Sequence, residues 1–232
     1  MNEQKLSKRL ERVASFVPKD AVVADIGSDH AYLPAWLYLN NKITRAIAGE
    51  VVEGPFNSAK SLVASLGLED KISVRLADGL EVLSKEDNVT AITICGMGGS
   101  LIRDILSRGK HKGHLVGTER LILQPNVGEP TLRRWLQQEG YEILLEDILE
   151  EDQKIYEIIV AEKTGNKTDY DDKTLFFGPF LLKNHDEIFI KKWQYQLEKY
   201  HYILSSMEQA THVEPNKLIE VKEKISWIEE VM

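Results

Sequence analysis

From Val22 to Lys163 the chain alternates short β-branched runs with stretches whose apolar positions recur every three or four residues. The runs predict strands at Val22–Ile26, Arg45–Gly49, Ile72–Leu76, Val89–Cys95, Arg120–Gln124, Tyr141–Ile148 and Ile155–Ala161. Between them the spacing predicts helices at Leu33–Asn40, Gly54–Leu66, Ser100–Ser107 and Pro130–Glu139, the last opening on a proline suited to a first helical turn. Strands alternating with helices pack as a largely parallel sheet covered on both faces. The last two strands are joined by LEEDQK without a helix, which implies a hairpin and hence one antiparallel edge. Ahead of the first strand, Leu6, Leu10, Val13 and Phe16 mark an amphipathic helix that caps one edge of the domain.

After Ala161 the pattern changes. EKTGNKTDYDDKT is polar and charged, as a linker is, and divides the chain into residues 1–163 and 164–232. In the second part Phe189, Trp193, Leu197, Tyr200 and Ile203 share one helical stripe, and Leu218, Val221, Ile225 and Ile228 share another. Pro215 separates them, so a short antiparallel, coiled-coil-like helical hairpin is expected.

Composition bounds what this fold can do. With 232 residues, 43% hydrophobic, the chain holds enough apolar material for a sizeable core. No apolar run reaches the roughly 18 residues of a membrane span, and the N-terminal segment has no apolar leader, so a cytoplasmic protein away from membranes is expected. One cysteine, Cys95, excludes an internal disulfide and a multi-cysteine zinc site; in its apolar run it reads as a buried thiol rather than a nucleophile, and no metal is expected. A net charge of −8 argues against unselective polyanion binding. One local exception is RDILSRGKHKGH, where Arg103, Arg108, Lys110 and Lys112 face only Asp104; Arg133 and Arg134 form a second basic pair. Read from charge alone, the stretch is either a phosphate-binding face or a solvated helix end.

The chemistry concentrates where strands end. VVADIGSDHAYLP runs from a strand through an acid and a glycine into a helix, the geometry of nucleotide sites in doubly wound folds. A dinucleotide loop needs glycines where this turn carries Asp29 and Tyr32, and a carboxylate there would face a pyrophosphate. Asp29 suits a ligand with an ammonium group, as the methionine tail of S-adenosyl-L-methionine has. The rest of that ligand requires an acid after the second strand for its ribose hydroxyls, met by Glu50, and a polar group near the third strand's end for adenine, met by Asp78 and Gly79. After the fourth strand GMGG, Gly96 to Gly99, leaves backbone free to approach cofactor and substrate. Each feature alone is also an ordinary cap or turn; together, in order, they indicate a methyltransferase. The cofactor set is therefore Asp25, Gly27, Asp29, His30, Glu50, Asp78, Gly79, Gly96, Met97 and Gly98, with His30 either touching the cofactor tail or capping the helix.

DIGSDHAYLP, GEVVEGP, ADGLEVL, ICGMGGSLI and LQPN, in that order, resemble the motifs of the bacterial tRNA (adenine(22)-N(1))-methyltransferase (TrmK) family. The resemblance spans the catalytic domain, and FGPFLL at the tail's entry is similar too. It implies a class I, Rossmann-like methyltransferase domain with a helical hairpin, methylating N1 of an adenine in the D-arm of tRNA. The Asp/Asn-Pro-Pro-aromatic tetrad typical of amino-group methylation is replaced here by GMGG. Ring N1 keeps an in-plane lone pair, so transfer depends on alignment rather than a strong base. An extruded base needs an aromatic or apolar partner. Tyr32, whose alternative is a core position on its helix, and Met97 are chosen for it, with Asp29 and Asn126 completing the catalytic set. Gln124 and Pro125 are assigned to the base edge, and Arg103, Arg108, Lys110 and Lys112 to tRNA phosphates. Rival readings are a class I enzyme for another RNA site or small molecule, and a cofactor-binding protein without turnover. Association state is expected to be a monomer or weak homodimer.

Overall fold

The computed structural model describes residues 2–166, 168–210 and 214–232; Lys167 of the expected linker lies outside them. The chain divides into two compact units, Met1–Tyr170 and Asp171–Met232. The first unit thus runs on to Tyr170. Gln137 accounts for it, since its amide accepts from Tyr170 N at 2.7 Å and donates to the Tyr170 carbonyl at 3.2 Å.

In the first unit the strands are β1 (Ala21–Ile26), β2 (Ile43–Glu50), β3 (Ile72–Leu76), β4 (Ala91–Gly98), β5 (Arg120–Val127), β6 (Glu142–Glu151) and β7 (Lys154–Glu162). They form one sheet in the order β3-β2-β1-β4-β5-β7-β6. The pairs from β3 through β5 are parallel, and β7 runs antiparallel between β5 and the outermost strand β6, the two joined as the expected hairpin. Consecutive buried residues along β1 and β4 mark strands covered on both faces. Among the described residues five α-helices accompany them: α1 (Lys8–Phe16), α2 (Tyr32–Leu39), α3 (Glu53–Ser65), α4 (Gly99–His111) and α5 (Glu129–Gln138). The strand order reverses between β1 and β4, which opens a crevice beyond their carboxyl ends.

Two strands run further than their β-branched cores. β4 continues through Gly96 and Met97, with a register shift either side of Met97, and β5 continues through Pro125 and Asn126. Pro125, which has no N–H to give, sits opposite Met97 where the ladder is already broken. The helix α1 is tied down by Glu151, whose carboxylate accepts from Lys8 N at 2.6 Å and Arg9 N at 3.2 Å, and by an Arg12–Asp147 ion pair at 3.0 Å.

One sequence expectation is reversed here. Arg133 is not half of a surface basic pair: it is fully buried on α5, with Glu146 of β6 and Glu157 of β7 each at 2.5 Å. The two acids lie more than ten residues away in sequence, so the local charge count could not reveal them.

The second unit holds α6 (Asp172–Phe177), α7 (Pro179–Asn184), α8 (Glu187–Gln209) and α9 (Pro215–Val231). Contacts of Lys222 with Glu208 and of Glu229 with His201 run α8 and α9 antiparallel. Phe176, Phe177, Phe189 and Trp193 fill its core, with Phe177 and Trp193 ring centres 4.5 Å apart. Ile203, expected on the inward stripe, is instead exposed, and Leu204 is the more covered neighbour.

Candidate active site

The first turn separates its two acids. Asp25, at the end of β1, is buried, with Ser28 Oγ donating to Oδ2 and Thr93 Oγ1 to Oδ1, both at 2.6 Å. Burial pushes its carboxyl above the ordinary aspartate range, against the pull of those two hydroxyls. These two bonds tie Asp25 to the turn and to β4. Asp29 is the opposite case: its side chain is 66% exposed, and its Oδ1 touches only the neighbouring His30 Nδ1, at 2.9 Å. Left-handed backbone at Gly27, Asp29 and Ala31 makes the turn tight. Gly27 N and Ser28 N donate to the Gly49 carbonyl, and Asp29 N donates to Glu50 Oε1, so the turn is clamped onto the end of β2.

Glu50 is nearly buried while anchoring that amide, an acid held at the second strand end as a ribose site requires. Met97 reaches across from β4, close enough that a Cβ on Gly27 would lie 2.2 Å from its Cε. Tyr32 is half-buried against the core at the start of α2, its ring 5.1 Å from that of His30. Gly79 has left-handed backbone against Ile105, whereas Asp78 is exposed and pairs with Arg108 at 3.1 Å. The crevice thus gathers Gly27, Asp29, His30, Tyr32, Glu50, Gly96, Met97 and Gly98, while Asp25 is turned inward and Asp78 is engaged by a cation.

At the other wall Gln124 is fully buried, its Oε1 accepting from Arg9 Nη1 and Gly96 N and its Nε2 donating to the Pro125 carbonyl and Asn126 Oδ1. Each donor and acceptor of Gln124 is thus engaged within the protein, and Pro125 is buried beside it. Asn126 is exposed and donates to the Gly96 carbonyl at 2.8 Å. Arg9 was missed. Its sequence signal is a cation three residues from Leu6 and four from Val13, on the apolar stripe of α1. Cys95 stays a neutral thiol, since burial pushes its titration well above the usual value.

The four cations expected to meet phosphates are each ion-paired within the protein. Arg103 pairs with Asp104, Arg108 with Asp78, Lys110 with Glu139 and Lys112 with Glu81. Three of those acids come from outside the helix that carries the cations, so the pairing could not be read from the local sequence. Among the described residues no helix is long and apolar enough to cross a membrane, and no cluster of three metal-binding side chains occurs.

The whole arrangement has known counterparts. The family model for tRNA (adenine(22)-N(1))-methyltransferase matches residues 23–230. The chain is 49% identical over 238 residues to the tRNA (adenine(22)-N(1))-methyltransferase of Bacillus subtilis (strain 168), covering 100% of this chain and 99% of that protein. Streptococcus pneumoniae Sp1610, solved in complex with S-adenosyl-L-methionine, superposes with a TM-score of 0.88 at 47% identity, over 98% of this chain and 99% of that one. M. capricolum TrmK in complex with S-adenosyl-homocysteine gives 0.83 at 32% identity, over 97% and 96%.

Proposed function

The chain belongs to the tRNA (adenine(22)-N(1))-methyltransferase family, and we infer from that membership that it methylates N1 of adenine 22, in the D-arm of tRNA. S-adenosyl-L-methionine, when bound, supplies an electrophilic methyl group on a sulfonium. The observation that carries the reading is the pairing of an exposed Asp29 with a nearly buried Glu50 across one tight turn. Two acids and a glycine-lined gap suit an ammonium and a sugar diol, and repel a pyrophosphate.

On this reading Asp29 would hold the ammonium end and Glu50 the ribose hydroxyls, with Gly96 and Gly98 leaving backbone free to approach. Tyr32 and Met97 flank the base. N1 carries its own lone pair, so the residues here align the base instead of removing a proton first. As positive charge develops on the ring, Asn126 Oδ1 would accept from the exocyclic amino group. A tRNA substrate puts this work in the cytoplasm. Incubation with methyl-labelled cofactor and bulk tRNA tests it. Label is expected in the tRNA and not in a small-molecule fraction; unlabelled tRNA from a protein that still binds the cofactor would overturn the substrate assignment.

A further inference from the structure

The bulge in β4 takes Gly96 out of the β4–β5 ladder, and two side-chain amides of β5 replace the missing strand contacts. Gly96 N donates to Gln124 Oε1 at 3.0 Å, Gln124 Nε2 donates to Asn126 Oδ1 at 3.2 Å, and Asn126 Nδ2 donates to the Gly96 carbonyl at 2.8 Å. The three residues close a ring. Arg9 joins it from α1, donating from Nη1 to the same Gln124 Oε1, with its guanidinium 5.4 Å from the centre of the Tyr156 ring.

The ring has one consistent polarity. A backbone N–H and a guanidinium only donate, and a backbone carbonyl only accepts. With Oε1 facing Arg9 and Gly96 N, Gln124 has to turn Nε2 toward the Pro125 carbonyl and Asn126. Asn126 has in turn to direct Nδ2 at Gly96 and Oδ1 at Gln124. By donor and acceptor count this leaves exposed Asn126 with one lone pair on Oδ1 and one N–H for a ligand.

We propose that Arg9 is a positioning residue for methyl transfer: its guanidinium, the charged donor on Gln124 Oε1, holds the Gln124–Asn126 amide pair rigidly in place, so that Asn126 offers Oδ1 to the amino group of the target adenine. The inference rests on the N1-adenine reading above. Without Arg9, the Gln124 carboxamide is held only by neutral bonds to the Gly96 amide, the Pro125 carbonyl and Asn126, and the pair loses its charged anchor.

Arg9→Met removes the donor while keeping an unbranched side chain in α1. Its kcat on tRNA is expected to fall about ten- to hundred-fold, as misorientation of one contact does, with KM for the cofactor, cofactor affinity by calorimetry and melting temperature close to the parent. Hydrogen exchange at the Gly96 amide is expected to quicken. Arg9→Lys, which keeps a donor, restores most of kcat; Gln124→Glu, which cannot donate to Asn126, does not. Parental kcat in Arg9→Met, or losses of melting temperature and cofactor affinity that match the loss of kcat, would overturn the inference. Should the parent itself place no methyl on N1, the functional reading fails, while the Gly96 exchange result still decides whether Arg9 holds the amide pair.

Discussion

Two aspartates four residues apart in one turn carry different tasks because of what donates to them. Asp29 has no hydroxyl partner and lies open, so replacing its charge acts on the ligand and not on the fold. Asp29→Asn keeps a residue tolerant of the left-handed backbone there, and its affinity for S-adenosyl-L-methionine is expected to drop about ten- to hundred-fold by isothermal calorimetry, the scale of a lost charge-assisted contact. Its melting temperature is expected to match the parent. For Asp25 the effect is on stability. Its folded titration point lies above the unfolded value of about 3.9, so its contribution is full below that value and is lost as pH rises to the folded one. The melting temperature of Asp25→Asn relative to the parent is therefore expected to increase from about pH 4 upward and then level off; a pH-independent difference would contradict this. DIGSD shows both acids, but Thr93, the partner that commits Asp25, lies on another strand and leaves no mark in the motif.

At the scale of elements, β-branched runs located every strand, and their ends were what went unread. Glycine and proline signal turns in sequence, yet β4 passes through Gly96 and β5 through Pro125, because a bulge in one accommodates the missing donor in the other. The start of α4 depends on the same closeness. A Cβ at Gly99 would lie 2.3 Å from the Gly128 carbonyl oxygen, which is backbone and cannot swing away. Gly99→Ala is expected to lower stability by about 2–4 kcal/mol in chemical denaturation, by overpacking and backbone shift. Gly27→Ala, meeting only the flexible end of Met97, is expected to cost about 1–2 kcal/mol, mainly through its left-handed backbone. The Arg133 triad binds α5 to the β6–β7 hairpin. Arg133→Met, which strands two buried acids, is expected to cost about 3–5 kcal/mol, and apolar replacement of all three residues to recover most of it.

Over the whole molecule, an acidic chain meets a polyanion. The sequence showed the net charge of −8 and a basic stretch, but acids brought in from just past α5 and from the segment after β3 pair with Arg108, Lys110 and Lys112. Exchanging these three residues for alanine is accordingly expected to change the slope of log tRNA affinity against log salt by less than about one, where three free phosphate contacts would remove about two to three. A change of that larger size would show that the pairs open on binding. The order of the strand-end motifs was legible because each sits beside the strand that carries it; Arg9 was not, because it comes from a helix that precedes the sheet. The central claim, that this crevice directs a methyl group to N1 of an adenine, is tested most directly by reverse transcription of tRNA after reaction. Methylation on the Watson–Crick edge is expected to arrest primer extension at one D-arm adenine with the parent and not with Asp29→Asn at limiting cofactor; methyl incorporation without any arrest would place the group elsewhere and contradict it.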